Sequence, residues 1–315
     1  MSSNAQSEDL ERFMASLDAT PDTSEATDRF DLEALARLAG GEREQAEHAL
    51  IRRLDHADAR VAPALVVLGA RNAVGPLRAA LARHTGAVKV STAEALWDLD
   101  HDPAAVDTII DVLEGSDADG RAWAACALRR FDGPRVDDAL LAALNDPVET
   151  VGLGTAESLY RKLGLEPYAQ RKRGRLNMLR VRLQSTLETV RSPAISELKT
   201  LIDKLHAGQT PEQLGLTLAG DSENRAVQRF IDSYLDPSAK DFDVDSIRAL
   251  AGDELAFAEV MLMYFAERGD ARAFRAISAL PMRSAGPSLQ ELSRRTGAAA
   301  VLAAAALSRL RGLPP

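Results

Sequence analysis

The chain has 315 residues, 46% hydrophobic but only 4% aromatic, and 38 basic against 47 acidic residues give a formal net charge of −9. That length serves two or three domains or one elongated array, and so apolar yet aromatic-poor a composition requires a core of Ala, Leu and Val between closely packed helices. The acidic balance argues against general nucleic-acid binding, the single cysteine excludes an internal disulfide or a multi-cysteine zinc site and suits a cytoplasmic location, and no apolar run approaches the roughly 18 residues of a membrane span.

Residues 1–29 are rich in Ser, Thr, Asp and Glu and read as an acidic, flexible tail without the basic and apolar regions of a secretory signal. Within it, Leu10, Phe13, Met14 and Leu17 fall on one helical face. Such a helix either caps the next domain or docks on a partner.

From Asp31 the chain becomes repetitive. Leu65, Leu96, Leu128 and Leu159 lie 31, 32 and 31 residues apart, each with an alanine three positions before it: Ala62, Ala93, Ala125 and Ala156. Directly before them stand Ala64, Ala95, Ala127 and Ser158, small enough for two helices to approach. Leu50, Leu81, Leu113 and Leu144 precede the anchors by fifteen positions, with Ala46, Leu77, Ile109 and Leu140 four earlier, and these define a first helix ahead of the second. Leu68, Leu99 and Phe131 follow the anchors by three; the fourth copy has Lys162 there, with Leu163 as the expected replacement. Leu32, Ala34, Leu35 and Leu38 match a second helix alone and read as a half-repeat that starts the stack. Gly, Pro and Asp punctuate the pattern at regular intervals.

The stretch DADGRAWAACALRRFDGPRVDDALLAALND resembles the short bacterial HEAT-type repeat, a form also found in phycobilin-lyase-like proteins. The resemblance covers residues 31–165 and implies an all-α fold, an α-solenoid of HEAT-type helical hairpins with a divergent helical region at its C-terminal end. Four registers at a nearly constant period are specific for fold and say little about function.

Residues 166–213 lose the period and read as a long, basic, amphipathic hairpin. Leu176, Leu179, Leu183, Leu187 and Val190 mark its first helix, and Ser192 as N-cap with Pro193 at the first helical position starts its second. Residues 214–315 form the divergent helical region, in which ELAFAEVMLMYFAERGDARAFRAISAL reads as a degenerate helix pair and AAAVLAAAALSRL as a closing helix.

In HEAT-type stacks the second helices line a concave face, so the resemblance directs attention to their positions away from the core. Five before, two before and two after the anchors, that ridge carries Arg60, Glu94, Asp98, Trp123, Arg130, Glu157 and Arg161, and Trp97, Arg129 and Tyr160 sit one past the anchor. Aromatic residues and arginine are the types enriched at binding hot spots, although a solvated face with tryptophans partly buried between repeats accounts for them equally. The basic run after the repeats includes Arg171, Lys172, Arg173 and Arg175, which suits plain solvation, pairing with the acidic repeats, a docking site for an acidic protein, or, least of these, contact with nucleic acid or an anionic membrane.

Enzymatic readings find less support. HEAT-like glycosylases that excise alkylated bases use a tryptophan-lined, electropositive cleft, whereas the charges here are mixed. The iron-binding His-Glu pairs of deoxyhypusine hydroxylase are absent from the sequence. Asp98, Asp100 and Asp102 alternate as in a calcium loop, but Pro103 and Ile109 occupy the places of its glycine and glutamate. Cys126 has no neighbouring base to form a thiolate. The expectation is a non-enzymatic protein-binding scaffold or adaptor without metal or cofactor, serving as an immunity, assembly or regulatory factor; the alternative is a HEAT-type enzyme that handles a chromophore or a nucleobase.

Overall fold

Small residues at fixed places along a helix let a second helix approach its backbone, and the alanine registers above do this from one helix to the next. The computed structural model describes residues 7–18, 30–169, 174–216 and 224–312. Its regular structure is helical, with no strand among the described residues. Contacts divide the chain into two compact units, 1–143 and 144–315.

The first unit runs through α1 (Glu8–Asp18), α2 (Leu32–Arg37), α3 (Gly40–Arg53), α4 (Val61–Val67), α5 (Val74–Leu81), α6 (Gly86–Asp100), α7 (Ala104–Leu113), α8 (Ala118–Leu128) and α9 (Pro134–Ala143). Helix α4 packs on α6 and α6 on α8, while α5 and α7 each pack on α6. The anchors Leu65, Leu96 and Leu128 and the alanines Ala62, Ala93 and Ala125 are all buried in these contacts. The preceding helices bury Ala46, Leu77 and Ile109 in the same way, whereas Leu81 is only half-buried. At the starts of α6 and α8 the fit is set by glycine. A Cβ placed on Gly120 would stand 2.8 Å from the Cα of Gly86 and 2.8 Å from the Asp117 carboxylate.

Helix α1 packs on α2 and α3. Leu10, Phe13 and Leu17 are buried there, with Phe13 edge-on to Phe30 at 6.3 Å, and Met14 is half-buried. Part of the stretch read as a tail is therefore a folded cover on the first helices.

The second unit comprises α10 (Glu149–Lys162), α11 (Glu166–Ala169), α12 (Arg175–Leu183), α13 (Glu188–His206), α14 (Arg225–Leu235), α15 (Val244–Arg248), α16 (Gly252–Glu267), α17 (Ala271–Ala279), α18 (Gly286–Ser293) and α19 (Ala298–Arg311). The repeat register runs to residue 165, yet its last second helix, α10, belongs to this unit. In that copy Leu163 is half-buried and Leu165 takes the core position instead. Gly164 in left-handed conformation turns the chain so that Leu165 N–H donates to the Tyr160 carbonyl at 2.7 Å. Phe230, Phe257, Leu262, Phe274, Ile277 and Leu289 centre the core of the unit. Gly269, at φ +82°, ends α16, and Asp270 then caps α17 by accepting from the Arg272 N–H at 2.9 Å, as the GlyAsp turn signals.

The hairpin of residues 166–213 differs from its sequence reading. Its first helix stops at Leu183 and its second starts at Glu188, so Pro193 lies inside α13 rather than at its start. The cause is tertiary. Glu291 accepts from the N–H groups of Glu188 and Thr189 at 2.8 and 2.9 Å, and Glu267 accepts from the Ser185 hydroxyl at 2.6 Å and the Thr186 N–H at 2.9 Å. Carboxylates borrowed from α18 and α16 thus satisfy the donors of a helix start that carries no local cap.

Candidate functional site

Helix α6 ends where His101 turns left-handed, at φ 52°, with its N–H donating to the Trp97 carbonyl at 2.8 Å. Helix α8 begins where the Asp117 carboxylate accepts from the Gly120 N–H at 3.2 Å. With Ala93, Leu96, Ala125 and Leu128 turned inward, helical spacing sends Glu94, Asp98 and Trp123 to the other side, and Arg130 follows in the turn after α8.

Arg130 ties the two helices together. Its guanidinium donates to both oxygens of Asp98, at 3.1 Å for Nη1, and its Nη1 lies 3.6 Å from Glu94. Two parallel bonds to a carboxylate fix orientation more strictly than a single charge contact does. Burial pushes the Glu94 carboxyl above the usual glutamate range, and Arg130 opposes the shift. The Arg130 guanidinium also sits 5.5 Å from the centre of the Phe131 ring.

The two tryptophans have different surroundings. Trp97 is half-buried and meets Phe131 edge-on at 5.2 Å and His101 at 5.8 Å, which makes it a packing residue between consecutive repeats. Trp123 is 54% exposed. With Cys126 at i+3 it forms an exposed face of α8, and Arg129 and Arg130 are exposed in the turn that follows the helix.

The remaining ridge residues do not extend this face. Arg60 is folded back, its Nε and Nη2 donating to Asp58 at 2.9 and 2.8 Å and its guanidinium 4.5 Å from the Phe30 ring centre. In the second unit Glu157 pairs with Arg180 at 3.4 Å and Arg161 with Glu166 at 2.5 Å. Tyr160 corrects the expectation of a surface contact. It is 2% exposed, its hydroxyl donates to the Leu176 carbonyl at 3.3 Å, and burial pushes its ionisation upward. Contact with α12 turns this register position inward.

Of the basic run, Arg171, Lys172 and Arg173 lie outside the described residues. Arg175 donates to Glu197 at 2.7 Å and to the Leu214 carbonyl at 3.0 Å, and Arg182 donates to the other oxygen of Glu197. Burial of Glu197 works to raise its carboxyl, but these two guanidinium groups outweigh it and hold the group below the usual glutamate range. Internal ion pairing engages both arginines, and the Nε of Arg182 is buried without a hydrogen-bond partner.

Neither tryptophan lines either of two cavities found in the second unit. One, of about 550 Å³, is bordered by Arg175, Arg182, Glu197 and Glu254; the other, of about 260 Å³, lies between α13, α16 and the start of α18. Sequence reading missed the second, whose only local signal was Pro193. Among the described residues no group of three or more His, Cys, Asp or Glu side chains is placed to hold a metal ion. No described helix is long and apolar enough to cross a membrane.

No family model matches the chain, and neither a curated protein nor a solved structure does.

Proposed function

We propose that the chain is a non-enzymatic protein-binding scaffold whose first unit is a short α-solenoid of HEAT-type hairpins. The order of contacts, α4 on α6 and α6 on α8 with a preceding helix against each, supports that architecture. So does burial of the same register positions in successive copies.

The observation that carries the functional reading is Trp123. A tryptophan left more than half exposed, on a helix whose inner face is fully packed, contributes little to folding and offers a large amphipathic ring to a partner. Cys126 and Arg129 are exposed beside it, and Arg130, held by Asp98, presents an oriented charge at its edge. The partner would seat an apolar pocket over the indole and place acceptors near Arg129, with the charges setting orientation and encounter rate.

The test uses Trp123→Ala alone, because Trp97 and Arg130 hold the repeats together. Tagged full-length chain and an Arg294→Ala control are expressed in the native cells, and the co-purifying proteins are quantified. A partner recovered with the wild type and the control should fall at least tenfold with Trp123→Ala at equal helicity. Equal recovery from all three would remove this face as the contact.

A further inference from the structure

After α13 the chain turns on Gly208, at φ +86°, and the Gln209 N–H donates back to the Lys204 carbonyl at 3.1 Å. Thr210, Pro211, Glu212 and Gln213 follow and make the reciprocal bonds of a capping box. The Gln213 side-chain Oε1 accepts from the Thr210 N–H at 2.9 Å, and the Gln213 N–H donates to the Thr210 hydroxyl oxygen at 3.3 Å. With its amide oxygen held by the box, Gln213 keeps both N–H groups of Nε2 for another acceptor.

Gln213 borders a cavity of about 330 Å³ in the second unit, within the roughly 300–1,000 Å³ range of ligand pockets, and all of the lining residues are described. Its wall is mostly polar, supplied by Arg175, Thr200, Lys204, Gln209 and Gln213, and no carboxylate lines it. Asp203 and Glu212, the chain neighbours of Lys204 and Gln213, stay outside the wall, and Glu212 accepts from the Tyr168 hydroxyl at 2.5 Å. Thr200 spends its proton on the Ser196 carbonyl at 2.9 Å.

The remaining groups are donors. Arg175 gives Nε to Glu197 and Nη1 to the Leu214 carbonyl beside Gln213, which leaves Nη2 to be paired. Because Arg175 and Arg182 share the one Glu197 carboxylate, that trio keeps a positive charge. The Lys204 ammonium adds a second and has no ion pair among the described residues. The backbone bonds of Arg175 to Leu214 and of Gln209 to Lys204 set these donors around one space.

We infer that this cavity is a binding site for a phosphate dianion, free or as the head of a small polar phosphomonoester. Lys204 and the Arg175 Nη2 supply the charge, and the side-chain amides of Gln209 and Gln213 the neutral donors. A tetrahedral dianion accepts from donors on several sides, whereas a planar carboxylate carries half the charge and suits a single guanidinium fork. So polar a wall offers little to an apolar body.

Isothermal titration of the full-length chain at low ionic strength tests this with inorganic phosphate, glycerol 3-phosphate, glycerol and acetate. One of the two phosphates or both should bind saturably, acetate at least tenfold more weakly, and glycerol not at all. Tighter binding of glycerol 3-phosphate than of inorganic phosphate identifies the ligand as a phosphomonoester; equal or weaker binding identifies the free ion. Lys204→Gln should weaken phosphate at least tenfold, and Lys204→Arg should restore most of it. Gln213→Glu keeps the capping box but replaces the free amide by a carboxylate oxygen. It should leave the unfolding temperature of the free protein unchanged while weakening phosphate at least tenfold, a combination that damage to the fold does not produce. The exposed Arg294, changed to Gln, controls for net charge and should bind as the wild type does. Absence of saturable phosphate binding, acetate binding as tight as phosphate, or losses in Lys204→Gln and Gln213→Glu no larger than in Arg294→Gln would overturn the assignment.

Discussion

Trp97 and Trp123 are the only tryptophans in the chain, and the physics of each is set by what lies opposite it. Trp97 rests edge-on against Phe131, the residue three past the next anchor, so truncating it opens a gap between consecutive repeats. Trp97→Ala should therefore cost about 2 kcal/mol in urea unfolding, less than a fully buried aromatic because the ring is only partly buried. Trp123→Ala should stay within about 0.5 kcal/mol of the wild type, as surface changes do. A loss at Trp123 as large as that at Trp97 would show that its ring is structural. The register made both residues visible in the sequence but could not separate them. Positions one past and five before an anchor both fall at the margin of the buried stripe, and which of them meets an aromatic neighbour depends on Phe131, which lies in the turn after α8.

Helix starts show how far local signals carry. Asp117 and Asp270 cap α8 and α17 from the adjacent residue, and both starts were legible as polar turns ahead of an apolar run. The start of α13 was not, because its caps come from Glu267 and Glu291, more than 80 residues away. These two carboxylates respond to pH in opposite senses. For Glu291, burial is outweighed by the N–H groups of Thr189 and Glu188, and its carboxyl stands below the usual 4.5. Its contribution to stability is complete above pH 4.5 and is lost as the pH falls through the lower folded value. For Glu267, burial dominates over the bonds from Ser185 and Thr186 and raises the carboxyl above 4.5. The folded state holds that proton more tightly, so this contribution declines as pH rises from 4.5 through the higher folded value. Urea midpoints measured from about pH 3 to 7 should show Glu291→Gln losing about 1 kcal/mol at neutral pH and little at the acid end. Glu267→Gln should instead flatten the dependence above pH 4.5. Identical profiles for the two variants would mean that the caps do not differ in their burial.

At the scale of the whole chain, each of the two units has its own buried core, and in the first that core includes a helix contributed by the stretch read as a tail. Leu10, Phe13 and Leu17 had two readings in sequence, a cap or a docking peptide, because one amphipathic stripe does not say whose surface it covers. In the structure it covers the chain's own α2 and α3. Laid across α2 and α3, the helix keeps their apolar face from water. Residues 1–143 expressed alone should accordingly give a strongly helical circular dichroism spectrum and a single cooperative unfolding transition. Residues 19–143 should lose roughly 3 kcal/mol or more, because burial of each large apolar side chain of α1 is worth about 1.5–3 kcal/mol and part of that gain is offset by ordering the helix. Adding a synthetic peptide of residues 1–18 in trans should restore some of that stability in proportion to its concentration, whereas a peptide with Phe13→Ala should not. If the shortened unit were as stable as the longer one, the helix would be resting on the repeats without holding them, and its apolar face would again be open to the docking reading.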